Sequence, residues 1–199
     1  MPGMTALALF DFDGTLTKRD SLLDFIRSAV GLPKLLLGTF FLFPVLCAYT
    51  AKLMNNESAK EKVLSHFFYD WQAEELEALG TRYAVERISQ ILRPGAKECL
   101  QWHFEQGHVV CVVSASPDIW LKTWTDKQGF FLISTRLQMN NGRFSGKFAG
   151  RNCHGVEKVR RIKGCFNLEN YNRIYAYGDT KGDRPMLALA DEAFYKPFR

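Results

Sequence analysis

No CxxC pair occurs in this sequence, and its cysteines (Cys47, Cys99, Cys111, Cys153 and Cys165) are odd in number. That excludes a disulfide framework and the common zinc-ligand spacings, and it suits a reducing compartment. Cys111, inside an apolar run, reads as a small core hydrophobe. The chain also lacks a nucleic-acid motif and any tract of interleaved aromatic and basic residues. Its net charge of +5 is therefore a mild excess of scattered cations, and no nucleic-acid partner is expected. The densest basic point, Lys158, Arg160, Arg161 and Lys163, reads as a solvated helix face with one working lysine. Met1 to Ala6 have no basic-then-apolar leader pattern and are expected to lead straight into a strand. Repeats and low-complexity tracts are missing. With 47% hydrophobic and 24% charged residues, 199 positions suit one globular domain, or one domain carrying an insertion.

Charge is absent from one stretch. Between Lys34 and Lys52 the sequence LLLGTFFLFPVLCAYTA, residues 35–51, has no charged residue. A spanning helix needs about 20 apolar residues, and Gly38 and Pro44 interrupt this run. The expectation is a buried or interfacial helix pair in a cytoplasmic protein, with peripheral membrane or lipid contact through 35–51 as the alternative.

What is present is an alternation of strands and helices. Residues 6–12, ALALFDF, read as a buried strand. Asp20-Ser21 reads as a helix start with Asp24 in the first turn, ended by Gly31-Leu32-Pro33. From Pro33 to Leu92 only helical signals occur, including helices over 56–68 and 73–92. Then follow a helix over 94–106, a strand over 108–114, a helix over 117–127 and a strand over 132–137. Asn141-Gly142 marks a hairpin turn before a strand over 144–148. A helix over 156–166, a strand over 173–178, a helix over 182–190 and a short strand over 193–195 complete the chain. This order implies an α/β fold, a Rossmann-like three-layer core with a mainly parallel sheet, plus a small helical-bundle domain. The expected domains are 1–16 with 93–199 for the core and 17–92 for the bundle.

In such sheets ligands bind beyond the carboxyl ends of the strands. Three of the strands end there in polar residues: Asp11 and Asp13, Ser114, and Asp179. Asp11 and Asp13, at i and i+2, share a face of an extended chain. Asp179 and Asp183 form a second acidic pair. Four carboxylates at one sheet edge repel unless a cation or a proton intervenes, and all-oxygen ligands favour Mg2+, which also binds phosphate oxygens. The Ser114 hydroxyl and the N–H groups that follow it, beginning at Ala115, can donate to a phosphoryl group, and Lys158 supplies a cation early in a helix. A nucleophile, neutralising groups and a proton source are what phosphoryl transfer requires. His154 lies nearby but has no serine or carboxylate partner that suggests a triad.

DFDGT with Asp11 and Asp13, Ser114 after an apolar strand, Lys158, and GDTKGD with Asp179 and Asp183 resemble, in order, the four motifs of the haloacid dehalogenase superfamily. The helical insertion after the first strand looks like the cap domain of its phosphoserine-phosphatase-like branch. The resemblance implies a Mg2+-dependent phosphomonoester hydrolase that works through an aspartyl-phosphate. Asp11 would be the nucleophile and Asp13 the acid and base. Asp11, the carbonyl of Asp13, and Asp179 would hold the metal, with Asp183 supporting it or holding Lys158. Ser114 and Lys158 would grip the phosphoryl group, Gly14 would leave room for it, and Thr15 would brace the loop.

Substrate choice would fall to the cap, and a small phosphorylated metabolite is the expectation. Phosphoserine phosphatases commonly have a glutamate where Asp20 stands, reading the substrate amine, and two glycines where this chain has Ala115 and Ser116. Gly155-Val156-Glu157-Lys158-Val159 and the apolar 35–51 stretch are similar to bacterial phosphatidylglycerophosphate phosphatases of the superfamily, which makes a phospholipid head-group an alternative substrate. A non-enzymatic phospho-aspartate switch of the response-regulator kind is the remaining class. It is disfavoured by the nucleophile's place on the first strand and by the second Asp at i+2.

Overall fold

The computed structural model describes residues 5–199, so the reading of Met1 to Met4 lies outside the described residues. β1 (Leu7–Phe10) is the centre of a parallel five-stranded sheet in the order β3-β2-β1-β6-β7. The other strands are β2 (Val109–Pro117), β3 (Phe131–Thr135), β6 (Ile174–Gly178) and β7 (Glu192–Tyr195). Side chains alternate across this sheet. Leu7 and Leu9 enter one buried cluster with Cys111, Val113 and Ala176, while Ala8 and Phe10 enter the other with Val110 and Val112. α7 (Pro94–Glu105) and α8 (Lys122–Gln128) supply Ala96, Leu100 and Trp124 to the second cluster. α9 (Val156–Cys165) and α10 (Arg184–Leu187) supply Ile162, Met186 and Leu187 to the first. This is the expected three-layer α/β core.

The chain leaves the core after β1 and returns before α7 through a short two-sided ladder. Thr17 bridges Leu92 antiparallel, the Lys18 N–H donates to the Ile91 carbonyl at 2.8 Å, and the Arg93 N–H donates to the Leu16 carbonyl at 2.8 Å. Between these points lie α1 (Ser21–Val30), α2 (Leu32–Phe41), α3 (Phe43–Thr50), α4 (Asn56–Phe68), α5 (Ala73–Glu86) and the short α6 (Ile88–Ile91). A hairpin of β4 (Leu137–Asn140) and β5 (Arg143–Phe148), turned at Asn141-Gly142, leans on this bundle. Its Phe144 N–H donates to the Trp71 carbonyl at 3.0 Å, and the Ala73 N–H donates to the Gly142 carbonyl at 2.8 Å.

Several boundaries differ from the sequence expectation. The helix expected over 73–92 breaks at Arg87, whose guanidinium turns inward to Asp24 at 3.1 Å. The strand expected over 132–137 ends at Thr135, and Leu137 already belongs to the hairpin. The helix expected over 117–127 begins with a tight turn at Asp118–Trp120, because Pro117 still pairs with Thr135 in the sheet. The helix over 182–190 reduces to a turn at Lys181–Asp183 and the short α10. Residues 35–51 do form a helix pair, α2 and α3, bent by 61°, but they are mostly exposed and not buried. A Cβ on Gly38 would lie 2.3 Å from the Phe67 ring, so α2 meets α4 through that one close approach and turns the rest of its apolar circumference outward. Among the described residues no single helix is long and apolar enough to cross a membrane.

Candidate active site

β1 ends in the sheet's middle, next to β6, where strand order reverses, and this is where doubly wound sheets hold ligands. Asp11 continues the ladder for one more bond, its N–H donating to the Tyr177 carbonyl at 2.9 Å. This fixes its carboxylate at the edge of the sheet. The chain then winds through Phe12–Leu16 in a wide irregular turn, with Gly14 at φ +83. A Cβ at Gly14 would lie 2.5 Å from Asp179 Oδ2, so both the backbone angle and the close approach call for glycine.

Tertiary structure brings Asp11, Asp179, Asp183 and Lys158 together. Carboxylate oxygens of the three acids lie within 4.8 Å of one another. Lys158 Nζ donates to Asp11 Oδ1 at 2.6 Å and to Asp183 Oδ1 at 2.7 Å, with only 1% of its side chain exposed. Within the basic cluster on α9, one lysine is buried while Arg160 and Lys163 stay exposed. Arg160 and Arg161 fold onto Glu157, and Lys158 points into the core. Thr15 Oγ1 links the acids, donating to Asp11 Oδ2 at 2.8 Å and lying 3.3 Å from Asp179 Oδ1. Asp183 is further committed to its own loop, its Oδ2 accepting from the Thr180 N–H at 2.9 Å and the Thr180 hydroxyl at 2.8 Å.

Burial sets the electrostatics. It pushes the Asp11 carboxyl up to about 7, against the pull of Lys158. Burial and the charge of Asp20 raise Asp13, against Lys60, Ser116 and Ser21. Burial also raises Asp179, with Arg199 opposing it. Asp183 is buried too, yet Lys158 and Thr180 outweigh that cost and hold its carboxyl below the usual range. Burial disfavours the Lys158 charge, but Asp11 and Asp183 overcome this and raise its pKa. Acids that are costly to ionise, converging through hard oxygens, form a donor set suited to a small divalent cation. Every carboxylate oxygen of Asp11, Asp179 and Asp183 accepts from a neighbouring donor, from Lys158, Thr15, Arg199 or Thr180.

Asp13 lies across the loop from this cluster. It accepts from the Ser21 N–H at 2.6 Å and the Ser116 hydroxyl at 2.5 Å. Ser114 stands buried at the end of β2, its Oγ accepting from the Ser116 N–H at 3.0 Å. Ala115 turns its carbonyl to Lys60 Nζ at 3.1 Å. Asp20 is the N-cap of α1, accepting from the Leu23 N–H at 3.2 Å, and is near enough to Asp13 to raise its pKa. His154 lies against Gly182 at the mouth.

Four contributors escaped the sequence reading. Ser116 and Ser21 hold Asp13, Lys60 reaches the site from α4, and the Arg199 guanidinium pairs with Asp179. Ser21 had a signal, since the first N–H groups of a helix are free to bind an acid. Lys60 and Arg199 had none, because their distance along the chain from the acids disappears only on folding.

A haloacid dehalogenase-like hydrolase family model matches residues 8–188, nearly the whole chain. The chain belongs to the haloacid dehalogenase-like hydrolases. It is 35% identical over 195 residues to Protein CicA of Caulobacter vibrioides, covering 97% of this chain and 86% of that protein. It is 27% identical over 197 residues to Phosphoserine phosphatase SerB1 of Mycobacterium tuberculosis, covering 96% of this chain and 64% of that one. Its fold superposes, with a TM-score of 0.65 and 24% identity, on a solved structure described as a phospho-aspartyl intermediate analogue of phosphoserine phosphatase, covering 94% and 83% of the two chains. Within this family the chain is an enzyme, a hydrolase.

Proposed function

We propose that this haloacid dehalogenase-like phosphatase hydrolyses a small phosphorylated metabolite through an aspartyl-phosphate on Asp11, with Mg2+ as cofactor. The observation that carries the reading is the pairing of two differently held acids. Asp11 lies against the single cation Lys158 at the sheet edge, and Asp13 lies two residues on with its pKa raised by burial. An Asp11 carboxylate oxygen attacks phosphorus, and the bond from phosphorus to the ester oxygen breaks. Asp13, holding a proton, gives it to the departing oxygen. Asp13 then takes a proton from the incoming water, which attacks the aspartyl-phosphate, releases inorganic phosphate and restores Asp11.

Lys158, Ser114 and the N–H groups after Ser114 hold the phosphoryl oxygens in this scheme, and Asp183 positions Lys158. Asp11, the Asp13 carbonyl and Asp179 would hold Mg2+, which supplies positive charge to offset the phosphoryl oxygens. Residues 17–92 act as the cap that selects the leaving group, with Lys60 the cation it brings to the mouth.

A second reading of the substrate is a phospholipid head-group phosphomonoester, favoured by the exposed apolar helices α2 and α3. Phosphoserine is a third; the cap cation Lys60 would suit its carboxylate, whereas Asp20 is occupied in capping α1. The test is a screen of phosphoserine, sugar phosphates, nucleotides and phosphatidylglycerophosphate with Mg2+, on the parent and on Asp11→Asn. Turnover by the parent alone supports the scheme. A single stoichiometric phosphorylation without turnover, or turnover retained in Asp11→Asn, overturns it.

A further inference from the structure

Beyond Lys34 in the first turn of α2, helices α2 and α3 are mostly apolar around their circumference, with no charged side chain from Leu35 to Ala51. Such helices are ordinarily buried or in contact with lipid. Here one stripe, Leu35, Gly38, Leu42, Val45 and Ala48, turns inward. Leu36, Leu37, Phe40, Phe41 and Phe43 stand outward, Phe40 with 74% of its surface exposed, and Leu53 beyond the pair is 84% exposed. Contiguous exposed apolar surface of this kind marks an interaction site.

The charges around it define the partner. No Asp or Glu occurs between Asp24 and Glu57, while Arg27, Lys34 and Lys52 are all exposed. At the base of α1, Arg19, Arg27 and Arg87 line one cavity of about 470 Å³ together with Asp24 and Ser28. The Asp24 carboxylate there is already held by Tyr83 and Arg87. An apolar face rimmed by Arg27, Lys34 and Lys52, which pair with no acid among the described residues, fits an anionic bilayer surface. A second copy of this chain would set the same cations against one another, since a twofold interface pairs a patch with itself.

Geometry decides between lying on the bilayer and crossing it. α2 and α3 have 10 and 8 residues and meet at 61°. At about 1.5 Å per residue neither reaches across a hydrocarbon core of about 30 Å. We infer that the α2–α3 pair is a docking surface that seats the enzyme on anionic phospholipid membranes, with Phe40, Phe41 and Phe43 entering the acyl boundary and Lys34 and Lys52 at the headgroups. Two hydrogen bonds connect this surface to the loop before α9. Tyr49 accepts from Asn56 Nδ2 at 3.0 Å, and Asn56 Oδ1 accepts from Asn152 Nδ2 at 2.7 Å, on the loop before Lys158. This docking does not depend on which phosphoester is hydrolysed.

Vesicle flotation of the full chain tests it, using phosphatidylcholine alone and phosphatidylcholine with roughly 30 mol% phosphatidylglycerol. The parent is expected to float with the anionic vesicles and to be released by about 0.5 M salt. The double variant Phe40→Glu, Phe43→Glu should lose at least about tenfold in partitioning. Its circular dichroism and melting temperature, and its rate on soluble p-nitrophenyl phosphate, should match the parent. Absence of flotation by the parent, equal flotation on both vesicle types, or undiminished flotation of the folded variant overturns the inference. So does a dimer in sedimentation equilibrium that the variant converts to monomer, which would assign the face to a second copy. Because flotation requires no turnover, failure of the catalytic reading and failure of this one are separately visible.

Discussion

Lys158→Met replaces a buried ammonium by a side chain of similar length and leaves the carboxylates of Asp11 and Asp183 without the cation they share at 2.6 and 2.7 Å. Removing one partner from a buried ion pair costs about 3–5 kcal/mol, because the remaining charge stays out of water. For a chain of this length that corresponds to a fall in melting temperature of roughly 6–20 °C. The loss should depend on pH in a defined direction. In the parent, the Asp11 carboxyl is already raised to about 7 by burial against the pull of Lys158. Its folded pKa lies above the unfolded value, so ionising it destabilises the fold as pH rises towards 7. Without Lys158 that pKa rises further, and the folded variant continues to lose stability above pH 7 after the parent has stopped. The deficit should therefore be larger at pH 8 than at pH 5.5, where Asp11 is protonated in both folded proteins and only the Asp183 contribution is lost. Thermal melts of both proteins in EDTA at the two pH values measure this. A variant within about 1 kcal/mol of the parent at pH 8, or a deficit that does not grow with pH, would refute the claim that Lys158 is the buried counter-ion of this cluster.

Asp11→Asn should abolish turnover of p-nitrophenyl phosphate while leaving the circular dichroism spectrum unchanged, since asparagine fills the same volume without a nucleophilic carboxylate. EDTA should stop hydrolysis and Mg2+ restore it; at 100 times its dissociation constant the ion should add about 2.7 kcal/mol of stability, visible as a higher melting temperature. Gly14→Ala should cut activity and cost about 1–3 kcal/mol, because its Cβ would lie 2.5 Å from Asp179 Oδ2 at a φ of +83; full activity in that variant would show that the loop relaxes freely. His103 is held by burial and the neighbouring His108 down to about 4, below its unfolded value, between His108 Nδ1 at 2.8 Å and the Tyr177 hydroxyl at 2.9 Å. The unfolded chain therefore binds more protons between about pH 6.5 and 4, so stability present above pH 6.5 should be lost as pH falls through this window. His103→Gln should flatten that slope in melts from pH 7 to 4.5.

The sequence by itself determined the layers of this protein and the identity of its acids. Continuous apolar runs such as ALALF and VVCVV fit strands buried on both faces, and a polar residue closing each run lands at the sheet's carboxyl edge. Asp11, Asp13 and Asp179 were legible because strand order and local spacing alone place them there. Helix α4 was legible to its ends, since Asn55 caps its start and accepts the Ser58 N–H at 2.8 Å.

Tertiary structure alone decided which partners those acids have. Lys60 and Arg199 are far from them along the chain, and nothing local distinguishes either from a solvated surface cation. Lys158 stood out in its basic run as the one working lysine, but the two carboxylates from different strand ends that hold it are set only by the fold. The apolar 35–51 stretch shows the converse. Hydrophobicity marks a segment as avoiding water but does not say what will cover it. One glycine contact to Phe67 gives α2 a single inward stripe, and the rest of its surface is left for a partner outside the chain. Local propensity is settled by neighbours a few residues away, whereas burial and charge pairing depend on groups that only the completed fold brings within reach.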